Sequence, residues 1–249
     1  MEYTILAKLY DPFMADVDYD SWAAYIKRFL PGGGRLVIAD CACGTGELTV
    51  RLAASGHTLI GIDKSAEMLE TASQKARARG LKIPFIKQDI RRFELHKKVD
   101  AVICTCDGVN YLSSREQVRR FFDAAYNALK PGGLLIFDIS SRYKLSAVLG
   151  NNTFANDDEA HSYIWQNAYD ESNKLLEMSL TFFIKKGELY ERSKEVHIQR
   201  AHSAAEIENA LSSAGFYLSG VYGGFTTEPP DKEAERIQFV AAKPKDHPG

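Results

Sequence analysis

The sequence predicts a doubly wound α/β sheet, and three observations carry that prediction. An apolar, β-branched run over 36–40 ends in an acidic residue, a two-glycine turn and a helical pattern. Two more strand-like runs are followed by acidic residues, Asp63 and Asp89. Further apolar runs at 99–104, 134–139, 216–222 and 237–242 make seven strands, most of them separated by helical stretches.

The elements follow in order. Residues 3–30 are rich in aromatics, among them Tyr3, Tyr10, Phe13, Tyr19, Trp22, Tyr25 and Phe29. Within them 20–30 reads as an amphipathic helix with Trp22, Ile26 and Phe29 on one face. Pro31 and three glycines break that helix before the first strand. Gly44 and Gly46 permit a tight turn, with no Cβ in the way of a ligand. From Glu47 a helix presents Leu48, Leu52 and Ala53 and ends near Gly56. The second strand is 58–62. Ser65 then fits an N-cap for a helix over 66–79, with Met68, Leu69, Ala72 and Ala76 inward and Gly80 as its stop. The third strand is 83–87, and the fourth is 99–104. Ser113 and Glu116 form a capping-box pattern before a helix with Val118, Phe121, Phe122, Ala125 and Leu129 on one face. A turn at 130–133 leads to the fifth strand, 134–139.

About 60 residues, 142–202, interrupt the pattern. Runs at 162–169, 174–185 and 188–200 look like strands, and Leu176, Met178, Leu180, Phe182 and Ile184 alternate with more polar residues. Asn173 and the Lys186–Gly187 pair mark turns. This stretch is expected to be an inserted antiparallel β lid, with 151–159 as a polar loop. Ser203 and Glu206 form a second capping box, opening a helix with Ile207, Ala210, Leu211 and Ala214, which Gly215 stops. Strands six and seven read as an antiparallel hairpin, and 243–249 as a disordered tail.

Composition narrows the function. Lys+Arg number 31 against Asp+Glu 33, a net charge of −2, which argues against a protein built mainly to grip nucleic acid. No run of about 18 apolar residues spans a membrane, and no secretory signal is visible, so a cytoplasmic location is expected. Four cysteines form two C-x-C pairs, Cys41/Cys43 and Cys104/Cys106. Zinc pairs usually have wider spacing, so small residues lining a crowded loop are expected rather than a metal site. Thr49 stands where a dinucleotide fingerprint requires a third small residue, and no P-loop sequence exists.

Asp40, Ala42, Gly44 and Gly46 in this setting resemble motif I of the class I S-adenosylmethionine (SAM)-dependent methyltransferases. The Leu-Lys-Pro-Gly-Gly run at 129–133 resembles a structural segment of the same family. The resemblance covers 36–140 and 203–242. It implies a Rossmann-like seven-stranded sheet, mostly parallel with an antiparallel seventh strand, and SAM as methyl donor. Ala42 stands where the family usually has a glycine, which requires a negative φ there. Three regions are expected: a helical cap (1–34), a SAM-binding core (35–141 and 203–249) and the lid (142–202).

The carried-over cofactor set is Tyr10, Asp40, Ala42, Gly44, Thr45, Gly46, Asp63, Lys64, Met68, Asp89, Ile90 and Cys106. Asp63, 23 positions past Asp40, is placed to accept from ribose hydroxyls. Asp89 and the Ile90 main chain match the family's adenine contacts. The run at 10–14 resembles a segment that closes over SAM, and aromatic faces attract a sulfonium cation. The turn after the fourth strand makes Cys106, Asp107, Asn110 and Tyr111 candidates near the methyl group, with turn chemistry around Gly108 as the alternative for Asp107 and Asn110. Candidate bases are His197, His202, Tyr111 and Asp107. Arg200 can hold a substrate anion or pair with Glu195 or Glu191. The expected activity is N- or O-methylation of a small molecule by in-line displacement, in a monomer or homodimer. The alternatives are a tRNA or rRNA methyltransferase and a SAM-binding sensor or scaffold that transfers nothing.

Overall fold

The computed structural model describes residues 6–157 and 161–245, with side chains from residue 10 onward. Tyr3 and the tail beyond 245 lie outside the described residues. The main sheet has seven strands in the order β10 (Tyr217–Gly223), β11 (Arg236–Ala242), β5 (Leu129–Ser140), β4 (Val99–Cys104), β1 (Val37–Cys41), β2 (Thr58–Asp63) and β3 (Phe85–Lys87). β1 to β5 are parallel, and β11 runs antiparallel to both β5 and β10.

Helices cover both faces because the central strands are apolar on both. On one face, α5 (Arg115–Ala128) and α6 (Ala204–Ser213) bury Phe121, Phe122 and Leu211 against Phe137 and Phe239. On the other, α2 (Tyr19–Phe29) and α3 (Glu47–Ala54) bury Trp22, Ile26, Leu48 and Leu52 against Ile38, Ile103 and Val240. The helix α4 (Ala66–Ala78) buries Met68, Leu69, Ala72 and Ala76, the face its periodicity marks. A further helix, α1 (Leu6–Phe13), precedes them within the expected helical cap, where the periodicity marked only the helix over 20–30.

The insertion forms a four-stranded antiparallel sheet, β6 (Thr153–Asn156), β7 (His161–Asp170), β8 (Leu175–Lys186) and β9 (Leu189–Arg200). A wide-turned helical segment, Lys144–Leu149, leads into it. In β8 the alternation holds: Leu176, Met178 and Phe182 are buried. β6 lies within the stretch expected to be a loop. Its residues are mostly exposed, and its strand character comes from pairing with β7 and from Phe154 packing on Trp165.

Other boundaries also differ, each for a local reason. β3 starts only at Phe85, after Pro84, which has no N–H to donate. The N-cap of α5 is Ser114, not Ser113, and its hydroxyl accepts from Gln117 N–H. β5 begins at Leu129 and runs through the expected turn, because Lys243 N–H donates to Gly133 O and Gly132 N–H to Lys243 O. Lys243 Nζ also donates to the Tyr126 and Leu129 carbonyls, so the start of the expected tail is tied to the core. The left-handed residue of the β7–β8 turn is Lys174, beside the expected Asn173.

Asn110 joins the lid to the core. Its Nδ2 donates to the carbonyls of Ser140 and Arg200, and its Oδ1 accepts from Ser140 N–H at 2.8 Å. It is fully buried and does not line the central cavity, so it clips the end of β5 to the end of β9. Asn110→Ala leaves three main-chain groups without that partner. It is expected to destabilise the protein by about 2–3 kcal/mol, read as a lower denaturant midpoint.

Candidate active site

The carboxyl ends of β1, β2, β3 and β4 open onto one edge of the sheet, beneath the lid and α1. There they build a cavity of about 510 Å³. Two turns floor it. The first, after β1, holds Ala42 at φ +56°, Gly44 at +52° and Gly46 at +76°. The second, after β4, holds Cys106 at +55° and Asp107 at +68°. Ala42 therefore adopts a left-handed conformation, contrary to the expected negative φ, at a cost of roughly 1–2 kcal/mol for a residue with a Cβ.

The two glycines do different work. A Cβ on Gly44 would meet nothing within 4 Å, so the turn's conformation is what demands glycine, and its surface faces the cavity. A Cβ on Gly46 would come within 2.8 Å of Ala72 Cβ, so this glycine lets α3 and α4 pack rather than admitting a ligand. Asp40, Thr45 and Gly46 do not line the cavity. Asp40 is sealed behind the turn, where Thr49 Oγ1 donates to it at 2.5 Å and burial pushes its pKa up to about 7. Thr45 Oγ1 donates to Asp11 at 2.7 Å, and Lys75 Nζ lies 2.6 Å from the same carboxylate, fastening α1 to the glycine turn.

The remaining members of the expected cofactor set do line the cavity: Tyr10, Ala42, Gly44, Asp63, Lys64, Met68, Asp89, Ile90 and Cys106. Asp63 accepts from Gly44 N–H at 3.0 Å through one oxygen and from Ser65 N–H at 2.9 Å through the other. Burial raises its pKa, and these N–H groups oppose the rise. Each carboxylate oxygen has a second acceptor direction. Asp89 caps the short turn Ile90–Arg92 and takes a bidentate grip from Arg91, which lowers its pKa. Both its turn role and its place on the wall are thus real. Burial pushes the Cys106 thiol and the Tyr10 phenol up, so both are protonated at neutral pH.

Of the four candidate bases, Tyr111, Asp107 and His197 line the cavity and His202 does not. His197 Nε2 lies 3.3 Å from Glu195 Oε2, and its ring meets Tyr111 edge-on at 6.1 Å. Asp107 is held by Arg236 at 2.6 Å. Burial opposes its ionisation, but the charges of Arg236 and Lys144 outweigh that and keep its pKa low. His202 is instead buried under α5 and α6, hydrogen-bonded to the main chain of Leu112 and Val109. It cannot touch a molecule in the central cavity. Arg200 pairs with Glu206 on α6, not with Glu195 or Glu191, and it too lies outside the cavity.

Residues 38–133 match a family model described as a methyltransferase domain. The chain is 40% identical to YqeM of Bacillus subtilis, whose methyltransferase name is provisional, over 98% of both chains. It is 35% identical to a SAM-dependent methyltransferase from Clostridium acetobutylicum. That crystal structure superposes with a TM-score of 0.87, covering 97% of this chain and 99% of the other. The chain belongs to the class I SAM-dependent methyltransferases. The fold extends to the sugar N-methyltransferase KedS8 of Streptoalloteichus, with 20% identity, a TM-score of 0.77 and coverage of 95% and 93%.

The residues of this methyltransferase fit SAM. One end of the cavity offers two carboxylates for hydroxyl and amino donors, with Met68 and Ile90 as apolar walls beside them. The volume accommodates a nucleoside and a small acceptor together. Among the described residues no group of three or more His, Cys, Asp or Glu could hold a metal ion.

Sequence reasoning missed Arg236, Asp138 and Gln199. Arg236 lines the cavity, also bonds the fully buried Asp138, and lies 5.2 Å over the Trp22 ring. Burial pushes Asp138 up to about 6. An aspartate inside an apolar strand was a visible signal, but its partner opens a strand 98 positions away. Gln199 lines the cavity with His197, two residues earlier on the same strand face.

The position of His202 has a consequence for acid stability. Burial and Arg200 push its pKa from 6.5 to about 4, so the fold favours the neutral ring. A depressed folded-state pKa means stability that is complete above the unfolded value and lost as pH falls towards the folded one. Between pH 6.5 and about 4 the wild type is expected to lose roughly 3 kcal/mol from this group. Urea midpoints of His202→Asn across that window should be distinctly flatter.

Proposed function

We propose that this protein transfers a methyl group to a nitrogen or oxygen of a free small molecule. The observation that carries the reading is one continuous cavity. It runs from the acidic wall of Asp63 and Asp89, past the Cys106–Asp107 turn, to His197 on the lid. SAM, when bound, supplies an activated methyl on a sulfonium whose leaving group is neutral. The chain's work is then to align the acceptor, exclude water and take a proton where the acceptor arrives protonated. Tyr10 and Tyr111 offer aromatic faces to a cationic centre. His197 is the proton acceptor, with Glu195 Oε2 3.3 Å from its Nε2.

The lid and α1 shape the acceptor chamber together. Phe13 of α1 stacks on Phe182 and meets Tyr163 edge-on, both on the lid, while Asp11 fastens the same helix to the core. A chamber roofed in this way supports a free metabolite over an RNA as substrate. The four cysteines are free thiols, consistent with a cytoplasmic setting, and no helix among the described residues is long and apolar enough to cross a membrane.

Two measurements test the reading. Asp63→Ala is expected to weaken SAM binding by about 1.5–3 kcal/mol in calorimetry, the scale of a hydrogen bond to a charged group. Unchanged affinity would remove Asp63 from the cofactor site. Incubation with SAM and fractionated metabolites should release S-adenosylhomocysteine with a subset of fractions. His197→Ala is expected to slow that release roughly 10²–10⁴-fold with SAM affinity intact. Tight SAM binding with no release in any fraction would favour the sensor alternative.

A further inference from the structure

We propose that the groove between α5 and α6 is a second ligand site, for a small apolar alcohol or phenol that carries a carboxylate, with His202 at its floor and Arg115 at its rim. The groove encloses about 290 Å³ and shares none of its lining residues with the central cavity. Val118, Ile207 and Ala210 give it apolar walls, and Arg115, Arg119 and Asn209 surround its mouth.

His202 makes this more than a crease between helices. The residue is 1% exposed. One ring nitrogen serves the main chain of Leu112 and Val109, while Nε2 has no hydrogen-bond partner among the described residues. A neutral imidazole whose other nitrogen donates carries a lone pair on Nε2, so the complementary group is a donor, an O–H or N–H. Such a buried acceptor gains more from a partner than an exposed one does. At the rim, Arg115 spends Nε and Nη2 on Glu206, and a guanidinium with five N–H groups keeps others for an anion.

The site also has a route to the central cavity. The main-chain groups that His202 holds flank the turn Gly108–Tyr111, which carries Tyr111 into the cavity and Asn110 onto the lid clip. A ligand that bonds Nε2 sets the ring, and through it this turn.

The test is an NMR titration of methyl-labelled full-length protein with 4-hydroxyphenylacetate, using phenylacetate as the control that lacks the donor. The expected result is shifts at the Val118 and Ile207 methyls, with phenylacetate at least about tenfold weaker. Ala210→Phe, which places a ring in the groove, should abolish those shifts while the thermal melt stays cooperative. Should that variant fail to fold, Arg115→Ala at the exposed rim serves instead, and is expected to weaken the acid several-fold more than 4-hydroxybenzyl alcohol. Equal binding of the two acids overturns the proposal. So does the absence of shifts by roughly 10 mM, well above ordinary metabolite affinities, or shifts confined to the central cavity at Met178 and Leu180. An Arg115→Ala variant that binds the acid as the wild type does removes the carboxylate from the ligand class.

Discussion

Two main-chain turns in left-handed conformations must sit side by side at the carboxyl edge of the sheet, and a buried carboxylate holds each one down. Asp63, ending β2, accepts from Gly44 N–H in the first turn. Asp138, in β5, accepts from Asp107 N–H at 3.3 Å in the second. In both cases the carboxylate comes from the strand next to the one that feeds the turn. Strain at Ala42, Cys106 and Asp107 is tolerated because the neighbouring strand overdetermines the backbone there. The cavity is the space that these turns leave open, so its shape depends on both ties.

Arg236 extends the same device. It sits between Asp107 and Asp138 and lies over Trp22, so a single guanidinium joins the second turn, the sheet interior and α2. Removing Arg236 would leave two carboxylates close together in a buried setting with the guanidinium between them gone, which is the costly way to break such a cluster. The cluster holds the second turn in place where Asp107 and Arg236 line the cavity.

The lid works on a different principle. β8 turns its apolar residues inward, as a half-buried strand should. β9 does the reverse: Glu195, His197 and Gln199 are buried, while Val196 and Ile198 are 41% and 46% exposed. Pairing of Met178 with His197 and of Leu176 with Gln199 places this polar row directly beside the apolar row of β8. The chamber roof is therefore half apolar and half polar.

Much of this was legible in the chain itself, and the reason is periodicity and local chemistry. The inward faces of α4 and α5, the Ser203–Glu206 capping box and the β8 alternation depend on residues a few positions apart. Nine of the twelve residues assigned to the cofactor line the cavity, while Asp40, Thr45 and Gly46 serve the packing behind it. Tertiary structure alone decided the rest. The Asp138–Arg236 pair spans 98 positions, Asn110 reaches Arg200 across 90, and β6 is a strand only because β7 lies beside it. The chain likewise offered His197 and His202 as equals. Five residues apart, they part company where β9 ends and α6 begins, so one ring enters the chamber and the other is buried beneath two helices. Local sequence determines which face of an element is apolar, but which face meets the ligand is settled only when distant strands and helices pack together.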